Sequence, residues 1–220
     1  MGLLDNIIDS FVSDEKPDFF ETIGFYIKHG DDKGLFGEYL TQYMLNCKRL
    51  PGYRKILCNL YLPYKNATTE TDVIMIHENG IYVIESKNYS GWIFGNEKQT
   101  KWTQMLNKNN KSYFFNPVLQ NRTHIRALSE YTKIRPSFIK SYIVFSERCE
   151  LKKVPENTSE YVITKRNDLI DLLIKDIKGE EIRFSSSQID NIYNYLLPLT
   201  NVSSETKRKH VENINKNYKQ

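Results

Sequence analysis

Two acidic residues and one lysine lie close together in the chain, at Asp72, Glu85 and Lys87. Neighbouring carboxylates repel each other and offer the hard oxygen ligands that suit Mg²⁺ when it keeps waters and takes part of its shell from phosphate. A nearby lysine can hold the attacking water and offset negative charge at phosphorus, while the metal polarises the phosphoryl oxygen. This combination of residue types predicts metal-dependent hydrolysis of a phosphodiester.

A β-hairpin is predicted to carry these residues. The runs 71–76 and 81–84 are rich in β-branched and apolar residues, and Asn79-Gly80 between them is a strong hairpin signal. Side chains alternate along a strand, so Glu85 and Lys87 share a face, about 7 Å apart.

The cross-strand register has two alternatives. A turn formed by residues 79–80 alone would place Asp72 opposite Lys87, whereas a loop of residues 77–80 would place Asp72 opposite Glu85. Either register brings the three side chains together, and an odd loop length would separate them.

A cross-strand ion pair on a solvated surface is the simpler interpretation of these charges. The same face, however, carries four residues typical of a protein core: Ile74, Ile76, Ile81 and Val83. The charged residues therefore lie at the end of a face that is predicted to be buried, which favours a site.

Several motifs in order resemble the nuclease-related domain (NERD) family. They are Gly37-Glu38 on a predicted helix, Asp72 at the start of a strand, the run GIYVIESKNYSG at 80–91 and the run NPVLQN at 116–121. The resemblance covers about residues 33–132, and this family resembles the PD-(D/E)xK nucleases. It implies an α/β or mixed α+β fold that is restriction-endonuclease-like, with a central mixed sheet, a β-hairpin active site and flanking helices.

The resemblance also implies roles for individual residues. Asp72 and Glu85 would be metal ligands, Lys87 the catalytic lysine, and Glu38 and Gln120 supporting polar residues. The implied cofactor is Mg²⁺, with Mn²⁺ able to substitute. By periodicity alone Glu38 lies off the apolar stripe of its helix and faces water, so its role depends on the resemblance only.

Composition predicts one soluble catalytic domain. The chain has 220 residues, of which 40% are hydrophobic and 26% charged, and no apolar run approaches the roughly 20 residues that span a bilayer. We expect a lead at 1–30, a nuclease-like domain at 31–200 and a polar, basic tail at 201–220 that frays. Three scattered cysteines and the absence of a secretory signal indicate a reducing compartment, the cytoplasm.

The charge distribution points to a polyanionic partner. The net charge of +4 permits one, and Arg122 and Arg126 lie four residues apart on the helix that carries Gln120. Arginines beside a metal site could bind phosphates without reading bases, while a solvated helix face is the alternative. His124 lies one turn from Gln120 and is either a ligand or general acid, or a hydrogen-bonded structural residue.

The remaining pattern gives the other elements. A short amphipathic helix near Leu3 to Phe11 would pack on the domain, a protein partner or a membrane surface. Asn116 and Pro117 begin a helix. Further helices are predicted at 34–50, 167–174 and 187–193, strands at 55–62, 137–146 and 160–164, and a second hairpin from 91–95 and 98–104.

Two functions remain open at this level. The first is a Mg²⁺-dependent nuclease acting on DNA. The second is a nucleic-acid-binding or regulatory module that keeps the nuclease fold and cleaves little. No paired histidine motif supports a serine or cysteine nucleophile, and no phosphate-binding G-x-x-x-x-G-K-[ST] loop is present.

Overall fold

The computed structural model describes residues 33–218, so the predicted N-terminal helix and the lead at 1–30 lie outside the described residues. None of the described helices is long and apolar enough to cross a membrane. The helices are α1 (Lys33–Leu45), α2 (Pro117–Thr132), α3 (Arg166–Lys178), α4 (Ser186–Leu196) and α5 (Ser204–Tyr218). The strands are β1 (Arg54–Tyr64), β2 (Ala67–His77), β3 (Gly80–Lys87), β4 (Gly91–Phe94), β5 (Lys101–Asn107), β6 (Asn110–Phe115), β7 (Ile139–Phe145), β8 (Cys149–Lys153) and β9 (Val162–Lys165). Short 3₁₀ helices span Pro136–Phe138 and Leu197–Thr200.

Strand β3 lies at the centre of a five-stranded sheet with the order β1-β2-β3-β7-β9. Strands β1, β2 and β3 pair antiparallel, whereas β3, β7 and β9 pair parallel. A second, four-stranded sheet has the order β6-β5-β4-β8, in which only the β4–β8 pairing is parallel. The predicted mixed α+β fold class with a central mixed sheet is confirmed.

Alternate side chains of β3 enter two different hydrophobic cores. Ile81 and Val83 pack with residues of α2 and α4, while Tyr82 and Ile84 pack with residues of α1 and α3. Because helices cover both faces, β3 is a nearly continuous apolar run. Its charged residues lie only at its C-terminal end.

The C-terminal segment differs from the sequence prediction. Fraying after residue 200 is wrong for Ser204–Tyr218, which forms α5. The side chain of His210 is buried there, with its ring centroid 5.5 Å from that of Tyr61 and its Nδ1 3.0 Å from the carbonyl oxygen of Thr68. Helix α5 therefore docks on strands β1 and β2 through a polar anchor that hydropathy does not reveal.

Two strands are absent from the sequence prediction, namely β6 and β8. Both carry mostly exposed residues and lie at the two edges of the second sheet. The other strands and helices predicted within residues 33–218 occur, with ends that differ by a few residues.

Candidate active site

The β2–β3 hairpin sets the register of the candidate site. Its last pair is His77 with Gly80, and Ile76 pairs with Ile81. The loop is therefore residues 78–79, so the register with a turn formed by residues 79–80 alone does not occur. Continued one pair beyond Val73 and Ile84, the register places Asp72 opposite Glu85, which is the second of the two registers considered.

The side chain of Asn79 explains the position of the turn. It is buried, and its Nδ2 donates to the carbonyl oxygens of Glu180 and Glu181 at 2.8 and 3.1 Å. These contacts come from the segment after α3, a hundred residues away along the chain. The hairpin sequence therefore could not specify the turn by itself.

The negative charge of the Asp72 carboxylate is poorly compensated by the groups around it. Its Oδ2 accepts a hydrogen bond of 2.7 Å from the backbone N–H of Ser86. Burial, together with the charges of Glu85 and Glu38, raises the pKa of Asp72 well above its usual range, although Lys87 opposes this effect. The structure thus holds an acid where negative charge is in excess.

Glu85 and Lys87 form the centre of a buried hydrogen-bond network. Lys87 Nζ donates to Glu85 Oε1 at 2.5 Å and to Gln120 Oε1 at 3.1 Å. The side chain of Glu85 is 1% exposed and that of Lys87 is 16% exposed. The hairpin and helix α2 therefore meet at the ammonium group of Lys87.

His124 completes this network. An ionised carboxylate can only accept, so His124 donates from Nε2 to Glu85 Oε2 at 3.1 Å, while its Nδ1 lies 2.8 Å from Thr69 Oγ1. The structure thus brings His124 and Thr69 to the site. The one-turn spacing from Gln120 indicated His124, whereas no sequence signal indicated Thr69.

Opposite effects act on the ionisation of the central pair. Burial opposes the charge on Glu85, but the Lys87 charge and the His124 hydrogen bond outweigh it and lower the pKa of Glu85. Burial also opposes the charge on Lys87, but the charges of Glu85 and Asp72 outweigh it and raise the pKa of Lys87. Both groups are therefore charged at neutral pH, in contrast to the strained ionisation of Asp72.

Helix α1 brings Glu38 near the acids. The charge of Glu38 raises the pKa of Asp72, and it contributes, after burial, to raising the pKa of Cys58 to about 12. Thr41, on the same helix, lies 3.3 Å from Ser86 through their hydroxyl oxygens. Glu38 is half-buried, so the expectation from periodicity that it faces water is wrong.

Helix α2 is held in a fixed position over the sheet. Asn116 caps it by accepting from the N–H of Val118 at 2.9 Å, with Pro117 in the first turn, as predicted. The buried Asn121 donates from Nδ2 to the carbonyl oxygen of Val83 at 3.0 Å and to Ser141 Oγ at 2.8 Å. These bonds fix the rotation of the helix, and therefore the positions of Gln120 and His124.

Arg122 and Arg126 lie on the other side of α2. At about 100° per residue, they project roughly 120 to 160° away from Gln120 and His124. Arg122 Nη2 pairs with Glu160 Oε2 at 3.0 Å, and both arginines line a separate cavity of about 650 Å³. The expected position beside the acids is not found, and a phosphate-binding role for these arginines stays a prediction.

The donors at the site suit one particular kind of metal. Among residues 33–218 no group of three or more His, Cys, Asp or Glu side chains is placed to hold an ion. Mg²⁺ needs only one or two carboxylates, since water and substrate phosphate complete its octahedron. The excess negative charge at Asp72, opposite Glu85, fits this requirement, whereas a structural zinc site would need a fuller set of protein ligands.

Comparison with known proteins gives three findings. The family described as "Nuclease-related domain" matches residues 33–146. An uncharacterized protein of Bacillus anthracis is 33% identical over 189 residues, covering 84% of this chain and 85% of that protein. The crystal structure of the small subunit of the heterodimeric restriction endonuclease R.BspD6I matches 90% of this chain and 99% of that chain, at 17% identity and a TM-score of 0.29. This TM-score is too low to carry an argument.

Proposed function

This chain belongs to the nuclease-related domain family, and we propose that it is a Mg²⁺-dependent nuclease that hydrolyses phosphodiester bonds in DNA. The observation that supports this most is the position of Lys87, whose ammonium group is held by Glu85 and Gln120 beside Asp72. A fixed cation next to two acids is one arrangement that can stabilise the negative charge that develops during phosphate hydrolysis.

Asp72 and Glu85 are the residues that would hold the metal. A bound Mg²⁺, with Mn²⁺ as a substitute, would polarise the phosphoryl oxygen and the leaving group. For the protein itself, the consequence is electrostatic: a divalent ion would offset the burial and the acid–acid repulsion that raise the pKa of Asp72. Glu38 adds to the negative field from α1.

Lys87 acts as a fixed positive charge in this proposal. Its pKa is raised by the two neighbouring acids, so it stays protonated and cannot serve as a general base at neutral pH. It would therefore hold the attacking water or a phosphate oxygen by donating hydrogen bonds. Gln120 Oε1 and Glu85 Oε1 limit the directions in which the ammonium group can point.

A second function has support from two observations. The ammonium group of Lys87 is already engaged by two acceptors, and the described residues lack a three-ligand metal cluster. Both observations fit a nucleic-acid-binding or regulatory module that cleaves little. The proposal also places the protein in the cytoplasm, since Cys58 and Cys149 are free thiols.

A cleavage panel tests the two functions against each other. Supercoiled, linear and single-stranded DNA, and RNA, are incubated with the purified protein in Mg²⁺, in Mn²⁺ and in EDTA. We expect cleavage of DNA that requires the metal and is lost in Asp72→Asn and in Lys87→Ala. Lys152→Ala, which removes an exposed lysine paired with Glu150, is the matched control and should retain activity. Binding without cleavage in every metal would favour the module instead.

A further inference from the structure

A cleft of about 420 Å³ opens beside the candidate active site. Gln120, Thr123 and His124 of α2 line it from one side. Because Gln120 and His124 also contact Lys87 and Glu85, any ligand in the cleft lies next to the residues that would carry the chemistry.

Two walls of the cleft share one pair of residue types, and the hairpin wall also carries Glu70. One wall is the end of the β1–β2 hairpin, where Tyr64 is followed by Lys65 in a two-residue turn. The other wall is formed by Lys101 and Phe115, which are cross-strand partners on β5 and β6. Each wall therefore presents one aromatic ring and one lysine, and the buried His210 of α5 also lines the cleft.

The lysines of the cleft lack carboxylate partners. Lys65 and Lys101 are exposed, and neither lies within ion-pair distance of an acid among the described residues. Lys65 Nζ lies 5.3 Å from the centroid of the Tyr64 ring. The cavity on the other side of α2 differs, because Lys140 there is paired with Asp176 and Glu180.

Charge and aromatic rings together identify the ligand class. Proteins bind single-stranded nucleic acid with cations that follow the phosphates and with aromatic rings on which bases stack. A duplex offers the phosphates of its backbones but no free base faces to such rings. A cleft of this volume also suits a single extended strand, since it is comparable to pockets that hold one small ligand, of roughly 300 to 1,000 Å³.

We propose that this cleft binds single-stranded nucleic acid, with phosphates on Lys65 and Lys101 and a base on Tyr64. The inference rests on the proposed nuclease function and deepens it: the substrate is a single strand or a strand separated at a duplex end. The strand runs past Gln120 and His124, which brings its backbone to Lys87.

Binding in EDTA tests the cleft without cleavage. The anisotropy of a short fluorescein-labelled single strand, and of the corresponding duplex, is measured with the full chain over a range of salt. We expect the single strand to bind more tightly. Lys65→Ala combined with Lys101→Ala should raise its Kd at least tenfold and reduce the salt slope by about 0.7 per lost contact.

The control variant removes the same charge elsewhere. Lys175→Ala with Lys178→Ala takes two exposed lysines from α3, which packs on the opposite face of the sheet, and should change Kd less than twofold. Tyr64→Leu keeps an apolar side chain in the core contact and should weaken single-strand binding roughly tenfold by removing the stacking surface. Thermal melting confirms that each variant is folded.

Three outcomes would overturn the inference: equal affinity for duplex and single strand, an unchanged Kd in the cleft double variant, or a larger loss in Arg122→Ala with Arg126→Ala. These results are independent of cleavage. If the cleft variants behave as expected but no metal supports hydrolysis, the nuclease proposal fails and the binding site stands. If Lys87→Ala abolishes metal-dependent cleavage while the cleft variants bind normally, the binding-site proposal fails and the nuclease proposal stands.

Discussion

Helix α2 separates two polar surfaces that differ in how their charges are compensated. On the far side, Arg122 pairs with Glu160, and Lys140 pairs with two acids at once. On the near side, Lys87 is shared between Glu85 and Gln120, and Asp72 keeps a raised pKa because burial and other acids oppose its charge.

The difference separates charges that hold structure from charges that await a ligand. A surface charge that already has an ion-pair partner gains little further stabilisation from a ligand, and such pairs contribute little to the stability of the fold. A buried acid with a raised pKa leaves the folded state strained until a cation or a proton arrives. We therefore expect substitutions near the acids to change activity and metal response, and substitutions on the far side to change little.

The largest effect is expected for Lys87→Ala in cleavage. Removing one group that stabilises developing charge typically lowers the rate by about 10² to 10³, and the cleft lysines are left in place to hold the substrate. Single-turnover cleavage should therefore fall at least a hundredfold while single-strand affinity in EDTA changes less than threefold.

Lys87→Arg serves as the control for this experiment. It keeps the positive charge but replaces a compact ammonium group by a larger planar fork, so it should retain folding and recover only part of the rate. A Lys87→Ala protein that cleaves as fast as the native protein would show that Lys87 has no role in the mechanism. The two sides of α2 would then not differ in function as proposed.

The near side shows how far the sequence could predict the site. Alternation along β3 was enough to place Glu85 and Lys87 together, and the hairpin placed Asp72 with them. The turn itself was not predictable, because Asn79 takes its partners from Glu180 and Glu181. Local turn preferences were overridden by tertiary hydrogen bonds.

The parts that the sequence did not reveal share a physical cause. Helix α5 is anchored by His210 rather than by an apolar stripe, and Thr69 enters the site only because it faces His124 across the fold. Arg122 and Arg126 were placed beside the site by their distance from Gln120 in sequence, although their rotation around the helix points them away. Polar contacts between distant segments leave no periodic signal.

Stability should fall when the central charge pair is broken. Glu85→Gln keeps the shape of the side chain but leaves the half-buried ammonium group of Lys87 without its anionic partner. Removing one member of a buried pair is costly, and we expect a loss of about 2 to 3 kcal/mol in the free energy of unfolding by urea. Glu156→Gln, at an exposed position, should change it by less than about 0.5 kcal/mol.

In the absence of metal, Asp72→Asn should instead increase the stability of the protein. The pKa of Asp72 is raised in the folded state, so its contribution to stability is fully present below the unfolded pKa near 4 and is lost as pH rises through the folded pKa. At neutral pH the substitution removes this strain, and the melting midpoint in EDTA should rise by roughly 2 to 4 °C.

The same variant tests metal binding. Mg²⁺ or Mn²⁺ should raise the midpoint of the native protein, because a ligand of the folded state stabilises it by mass action, and Asp72→Asn should remove most of that shift. A variant that is destabilised in EDTA, or that responds to metal as the native protein does, would show that Asp72 is not the uncompensated ligand.

The smallest effect is expected on the far side, for the pair Arg122 and Glu160. Their side chains are 38% and 69% exposed, and double-mutant cycles of such pairs usually give about 0.2 to 1 kcal/mol. We expect a coupling in this range at low salt that declines as salt is added. Arg122→Ala should leave single-turnover cleavage within about twofold if the far side only supports structure. If Arg122→Ala instead weakens binding to all DNA sequences alike and flattens the salt dependence, the arginine contacts phosphate as its position in the sequence suggested, and the strand would have to pass over both sides of α2.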